Sequence, residues 1–453
     1  MAEHFFDSSD KKRALVFGGG GARGSFEIGV WKALDELAFY PDIVTGTSVG
    51  ALNGALYILG NLEEAEKMWK RIETDNIFDI KVPLEIESFR DYRRTMTGFL
   101  IKIIRNKGVS SKPLEQLIHH YLNDELEIRK SPITFGLSTT NFKKRKIEYF
   151  FLEDIAYGKL NDYLIASSAM FPAVQMKTID GTPYVDGGYI NNIPVNMALD
   201  KNPEQIIIVD IKGPGLIKYD YRIEDSEALW IQTKWPLGEM LLFDKNRTEI
   251  NIKLGYLETM KLAKPKTYTG LWYTFERDKL EEENRQFYLI LNELLEGKRS
   301  ENLTHYIEEE RHQVLLLREL STRWGKAITE KDLLIALTEL TGKLFNMRPD
   351  KVYSLLDYQR KLLYRVDKLK KEQFAEPIEE LKPVYTLSGK EWTEEFFETL
   401  PFISNRRLVI EISDQIEEDV INWNHPLYRF FIRTRPFPFA LALYIRYLRI
   451  KMQ

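Results

Sequence analysis

At 453 residues, with 44% hydrophobic and 29% charged residues, the chain is long enough for two domains with cores of ordinary size. Lys+Arg 64 against Asp+Glu 68 gives a formal charge of −4, a near balance that offers no global electrostatic case for nucleic acid as a partner. The absence of cysteine excludes disulfides, thiolate catalysis and cysteine-ligated zinc.

Residues 1–12 read as a polar leader without the apolar core of a secretory signal. No run of 18 apolar residues occurs, so no spanning helix is expected and a cytoplasmic protein is. Arg13-Ala14-Leu15-Val16-Phe17 reads as a buried strand, followed by a glycine cluster and a helix over Phe26 to Phe39. Pro41 to Val44 reads as the end of a second strand, and Ala51 to Leu59 as the helix after it. A charged, helix-rich insertion from Leu59 to Lys130 interrupts the pattern and is placed to cover a site. Ile133 to Thr139 and Ile147 to Phe151 read as two strands around a polar turn, Asn141 to Lys146. Gln205 to Ile211 is β-branched and continuous, as a strand buried on both faces should be. Strands alternating with helices over residues 13 to about 215 predict an α/β fold.

After Pro265 the character changes. Glu281 to Leu295, Thr304 to Leu320, Glu330 to Leu344 and Pro349 to Leu369 carry apolar residues at helical spacing, so a mainly helical C-terminal domain is expected over 270–453. It ends in a tail that has basic and aromatic residues and, from Val420 to Gln453, no acidic one. Residues 426–453 of that tail suit the anionic surface of a bilayer, or docking into the second domain with their arginines paired to its carboxylates. Phe439 to Ile450 also alternates well enough for a strand.

Three segments point to one chemistry. In Gly46-Thr47-Ser48-Val49-Gly50 a serine stands between two glycines on a strand-to-helix turn, the nucleophile elbow that holds a serine oxygen exposed. Gly18 to Gly24 follows a strand and precedes a helix, so that consecutive backbone N–H groups can face one concavity and hold an oxyanion. Tyr184-Val185-Asp186-Gly187-Gly188 ends a short strand in a carboxylate. A serine needs a base, and the six histidines are poorly placed: His4 in the leader, His119 and His120 in the insertion, His305, His312 and His425 in the second domain. Asp186 is the better-placed base, giving a Ser–Asp dyad with Ser48 instead of a triad.

These blocks, with Ala166-Ser167-Ser168-Ala169-Met170-Phe171-Pro172-Ala173, resemble the patatin-like phospholipase family over residues 13 to about 215, and Leu254-Gly255-Tyr256 looks like a further family element. The resemblance implies a three-layer α/β/α domain, placed at residues 13–265, and hydrolysis of lipid acyl esters through an acyl-enzyme without metal or cofactor. It implies Ser48 as nucleophile, Asp186 as base, and the backbone of Gly19, Gly20 and Gly21 as oxyanion hole. Gly46, Gly50, Gly187 and Gly188 support the turns, and Arg23 either fixes the glycine loop, meets lipid phosphate, or is simply paired.

Three other readings compete. Gly19 to Gly24 also satisfies G-x-G-x-x-G, but the second strand ends in Thr45-Gly46-Thr47-Ser48 and offers no carboxylate for a ribose. Glu309 and His312 share a helix face without the second such motif that a carboxylate-bridged metal site needs. The α/β region could be a catalytically weak scaffold whose helical domain serves regulation or partner binding.

Overall fold

Arg13–Phe17 (β1) is buried along its whole length because it lies inside the main sheet, with parallel neighbours on both edges. Those neighbours are β2, Ile43–Thr47, and β7, Gln205–Val209. The computed structural model describes residues 5–6, 10–77, 112–296, 310–371, 404–417 and 435–453. Those up to Pro265 form one compact unit and those from Lys266 onward a second.

The first unit is built on an eight-stranded mixed sheet. Its other members are β3 (Thr134–Asn141), β4 (Lys146–Phe151), β5 (Lys177–Ile179), β6 (Thr182–Asp186) and β8 (Glu227–Ile231). The Asp180-Gly181 turn joins β5 to β6 as a hairpin, both residues at positive φ. Helices cover both faces, which gives the three layers. On one side α1 (Ser25–Glu36), α2 (Val49–Leu59) and α7 (Lys245–Ala263) pack together. Tyr57 of α2 meets Phe17 of β1 and Trp31 of α1, and α1 and α7 approach so closely that a Cβ on Gly29 would fall 1.8 Å from the Ile252 carbonyl oxygen. On the other side Ile193 and α6 (Val195–Leu199) pack on Ala14, Val16, Ile206 and Ile208.

Strand β3 aligns two of its neighbours end to end. Residues Thr134–Ser138 pair with β2, Thr139–Asn141 pair with β6, and Gly136–Asn141 pair with β4. Because β4 overlaps both other partners in register, it must occupy the opposite edge. Strands β2 and β6 therefore share one edge of β3, and their C-terminal ends meet: Thr47 lies opposite Ser138 and Asp186 opposite Thr139.

The second unit is helical apart from a three-stranded sheet of β9 (Tyr268–Thr269), β10 (Thr274–Glu276) and β11 (Val352–Tyr353). Its longer helices are α8 (Leu280–Glu296), α9 (Glu310–Trp324), α10 (Leu333–Leu344), α11 (Leu355–Lys371), α12 (Asn405–Glu417) and α13 (Pro436–Lys451). The helix expected from Pro349 begins only at Leu355. Val352 and Tyr353 are taken by pairing with Thr274 and Phe275, and the Ser354 hydroxyl accepts from Asp357 N–H at the helix start. Residues 304–309 of another expected helix, Glu309 among them, lie outside the described residues.

The alternation in the tail is not a strand. Phe437, Phe439, Leu441, Tyr444, Tyr447 and Leu448 are all buried on α13, and a helix buried nearly all round shows no clean amphipathic period. Arg449 pairs with Asp414 at 2.7 Å and Asp367 at 3.4 Å, and Lys451 pairs with Glu283. The described residues of the tail are thus docked in their own unit. Tyr428, Arg429, Phe430, Phe431 and Arg433 lie outside the described residues. Among the described residues no helix is long and apolar enough to cross a membrane.

Candidate active site

Ser48 sits between β2 and α2 with φ 56° and ψ −127°, a strained backbone for a residue with a side chain. The glycines on either side exist because the turn is so tight. A Cβ on Gly46 would lie 2.3 Å from the Gly50 carbonyl oxygen, and one on Gly50 would lie 2.6 Å from that of Phe17. The strained turn is held from below: the buried Ser48 N–H donates to Ser167 Oγ at 2.9 Å, and that hydroxyl donates to the Ser138 carbonyl at 2.8 Å. Ser167 ends α5, Leu160–Ser167, in the segment that precedes β5 and β6. The N-terminus of α2 points at the serine, where its dipole favours developing negative charge.

The register of β3 brings Asp186 to this serine. The Asp186 carboxylate accepts a hydrogen bond from Gly188 N–H at 2.7 Å, and the Ser48 hydroxyl lies close enough to lower its pKa. Burial raises its pKa to about 6, against the lowering effect of those two donors. Gly187 and Gly188 allow the approach, since a Cβ on the first would fall 2.4 Å from Ser138 Oγ and on the second 2.6 Å from Asn192 Oδ1.

The glycine loop lies alongside, and its three candidate amides differ. Gly19 N–H already donates to the Asn192 carbonyl at 3.0 Å, so it is engaged in holding the loop. Gly20 and Gly21 line the cavity beside Ser48. Arg23 follows the fixing alternative: its side chain donates to the Gly238 carbonyl at 2.8 Å and to the Lys212 carbonyl, tying the loop to two neighbouring segments. Burial lowers its pKa, with Glu239 opposing.

From Ser48 and Asp186 a cavity of about 440 Å³ leads under the helices, within the ~300–1,000 Å³ typical of small-molecule sites. Its wall is aliphatic and aromatic: Leu52 and Leu56 from α2, Met68 and Trp69 from α3 (Leu62–Arg71), Ile118 from α4 (Lys112–Tyr121), and Phe243. The described ends of the 59–130 insertion therefore form part of the cavity wall, while residues 78–111 lie outside the described residues. No described histidine lines the cavity.

Sequence reasoning missed a polar brace behind the wall. Trp69 Nε1 donates to Asn53 Oδ1 at 2.9 Å, and Asn53 Nδ2 donates to Glu27 Oε2 at 2.7 Å and to the Gly24 carbonyl at 3.0 Å. Glu27 is fully buried, and burial raises its pKa well above the usual carboxylate range despite the Asn53 hydrogen bond. An Asn one and a half turns after the serine is the only local sign of it.

Residues 15–199 match the family model described as patatin-like phospholipase. That span, and no more of the chain, is identified as a patatin-like phospholipase domain. The elbow, the glycine loop and Asp186 all fall within the matched span. The patatin-like domain is followed, in this chain, by the mainly helical second unit. Over 325 residues the chain is 26% identical to "Lysophospholipase nte1" of Aspergillus terreus, which covers 68% of this chain and 20% of that protein. It is 29% identical over 209 residues to human "Patatin-like phospholipase domain-containing protein 6", covering 44% of this chain and 13% of the relative. The chain thus spans about a fifth or less of these relatives' length. Among solved structures it is similar to VipD from Legionella pneumophila, with TM-score 0.38 and 13% identity over 96% of this chain and 92% of that one.

Proposed function

We propose that the chain is a serine acyl hydrolase of lipid esters that works through a Ser48–Asp186 dyad. Asp186 takes the Ser48 proton as the serine oxygen attacks the ester carbonyl, and the carbonyl oxygen becomes an oxyanion. The amides of Gly20 and Gly21, which line the cavity, and the α2 N-terminus are the donors assigned to that charge, while Gly19 N–H is engaged by the Asn192 carbonyl. Collapse of the tetrahedral intermediate breaks the ester bond, and the leaving alkoxide takes the proton back from Asp186. Asp186 then draws a proton from water, which attacks the acyl-Ser48 ester, and returns that proton to the Ser48 oxygen as the acyl bond breaks and the fatty acid leaves.

The observation that carries this reading is a serine on a strained strand-to-helix turn that lines one apolar cavity together with a buried carboxylate. The lysophospholipase name of a relative supports a lysophospholipid as the first substrate to try. The test is a fluorophosphonate label together with hydrolysis of a lysophospholipid and of a short-chain nitrophenyl ester. Labelling and both activities are expected in the parent and absent in Ser48→Ala. Folded parent protein that takes no label would favour the scaffold reading, and wild-type rates in both Ser48→Ala and Asp186→Asn would discard the dyad.

A further inference from the structure

The turn between β3 and β4 carries a feature that the hydrolytic chemistry does not use. Phe142, Lys143, Lys144, Arg145 and Lys146 are consecutive and all exposed, with Phe142 at 45%. Lys144 is paired with Glu148, at 3.2 Å, and Lys143 reaches only the Gly181 carbonyl, at 3.4 Å. Two of the four cations, Arg145 and Lys146, thus face solvent without a side-chain bond among the described residues, next to an exposed phenylalanine ring.

The turn is continuous with the mouth of the cavity. The Phe142 ring packs edge-on against Phe171, with centroids 5.9 Å apart. Phe171 follows Met170, a cavity-lining residue, and its carbonyl accepts from the hydroxyl of Tyr189, another. Leu216, 66% exposed, lines the same cavity as Tyr189. An apolar rim thus runs from the cavity to an aromatic wedge flanked by cations. That is the chemistry of an interfacial anchor: the wedge enters the headgroup region while the cations meet anionic lipid.

We propose that the 142–146 turn docks the first unit on an anionic bilayer and presents the cavity mouth to the lipid. The proposal rests on the lipid reading of the site. The described residues of the C-terminal tail, 435–453, are packed inside their own unit, whereas this turn is exposed.

The experiment uses the full chain carrying Ser48→Ala, so that binding is read without hydrolysis, in flotation with vesicles of phosphatidylcholine alone or with about 30% phosphatidylserine, a composition chosen to give a negative surface. Binding to the anionic vesicles only is expected, with release at about 0.5 M salt, where the Debye length is under about 5 Å. Each cation near such a surface is worth roughly fivefold in affinity. The variant Lys143→Gln/Arg145→Asn/Lys146→Gln is therefore expected to bind about a hundredfold more weakly; asparagine suits the positive φ of 51° at position 145. Phe142→Ser, as a second variant with an unchanged melting temperature, should lose about tenfold or more. In the Ser48 background the triple variant should keep its rate on the soluble nitrophenyl ester and lose it on vesicle lipid. Equal binding by the triple variant and its parent, or no preference for anionic vesicles, would each overturn the proposal. Anionic vesicle binding by a parent that hydrolyses neither ester would uphold the docking surface and overturn the hydrolase reading alone.

Discussion

Burial gives Asp186 two opposite pH signatures. In its proposed role as base it must be ionised, and burial raises its pKa to about 6, so kcat/KM should fall about tenfold per pH unit below that point and be level above it. A flat profile between about pH 5 and 8 would exclude Asp186 as the base. Stability runs the other way. The folded state keeps this proton up to about pH 6, whereas the unfolded chain gives it up near about 4. The group thus favours folding fully below about 4 and loses that contribution as pH rises through about 6. Asp186→Asn is neutral throughout. It should abolish turnover and raise unfolding stability at about pH 8 by about 1–3 kcal/mol, read by urea titration. The tight turn at Ser48 was legible because its signal is local: a serine between two glycines at a strand-to-helix junction. That Gly19 N–H is already engaged by Asn192 was not legible, because the acceptor comes from a segment far along the chain.

At the scale of elements, the elbow depends on a helix that precedes the base rather than on its own strand. Ser167 at the end of α5 is the acceptor for Ser48 N–H and is wholly buried. Ser167→Ala would leave that N–H without a partner, at a cost of about 1–3 kcal/mol. The loss should appear in urea unfolding and as a lower kcat with KM little changed, because the serine oxygen and not the apolar cavity is displaced. An unaltered kcat in a folded Ser167→Ala variant would show that the elbow holds itself. The segment Ala166 to Ala173 was recognisable in sequence as a block, but not as the support of Ser48. Hydrogen bonds across layers leave no periodic trace. Strand positions were legible where β-branched residues ran together, as in Gln205–Val209.

Over the whole chain, the two units differ in how far sequence foretold them. The α/β order was plain from strands and helices that alternate at short range. The helical character of the second unit was legible from apolar spacing, but its small sheet was not, since strands of two or three residues carry no period. Helix α13 was ambiguous because it is a core element, with Tyr444 bonded to Thr338 at 2.7 Å and Gln359 at 3.2 Å. Leu441 is fully buried there, so Leu441→Ala should destabilise the second unit by about 2–5 kcal/mol by calorimetry. Tyr364→Ala, at an exposed position on α11, should stay within about 0.5 kcal/mol.

Strand β3 acts as a ruler for two residues far apart in the chain. Ser48 and Asp186 face each other only because β2 and β6 are each registered against it, one ending at Ser138 and the other at Thr139. A slip of one residue by β6 would turn Asp186 to the opposite face of the sheet and leave the serine alone. The pairing that matters is also long-range, and such pairings form late because their loops must close first. A nascent chain released before Asp186 would carry a finished elbow with no base beside it. The proposed dyad is therefore a property of strand order and not of either motif alone.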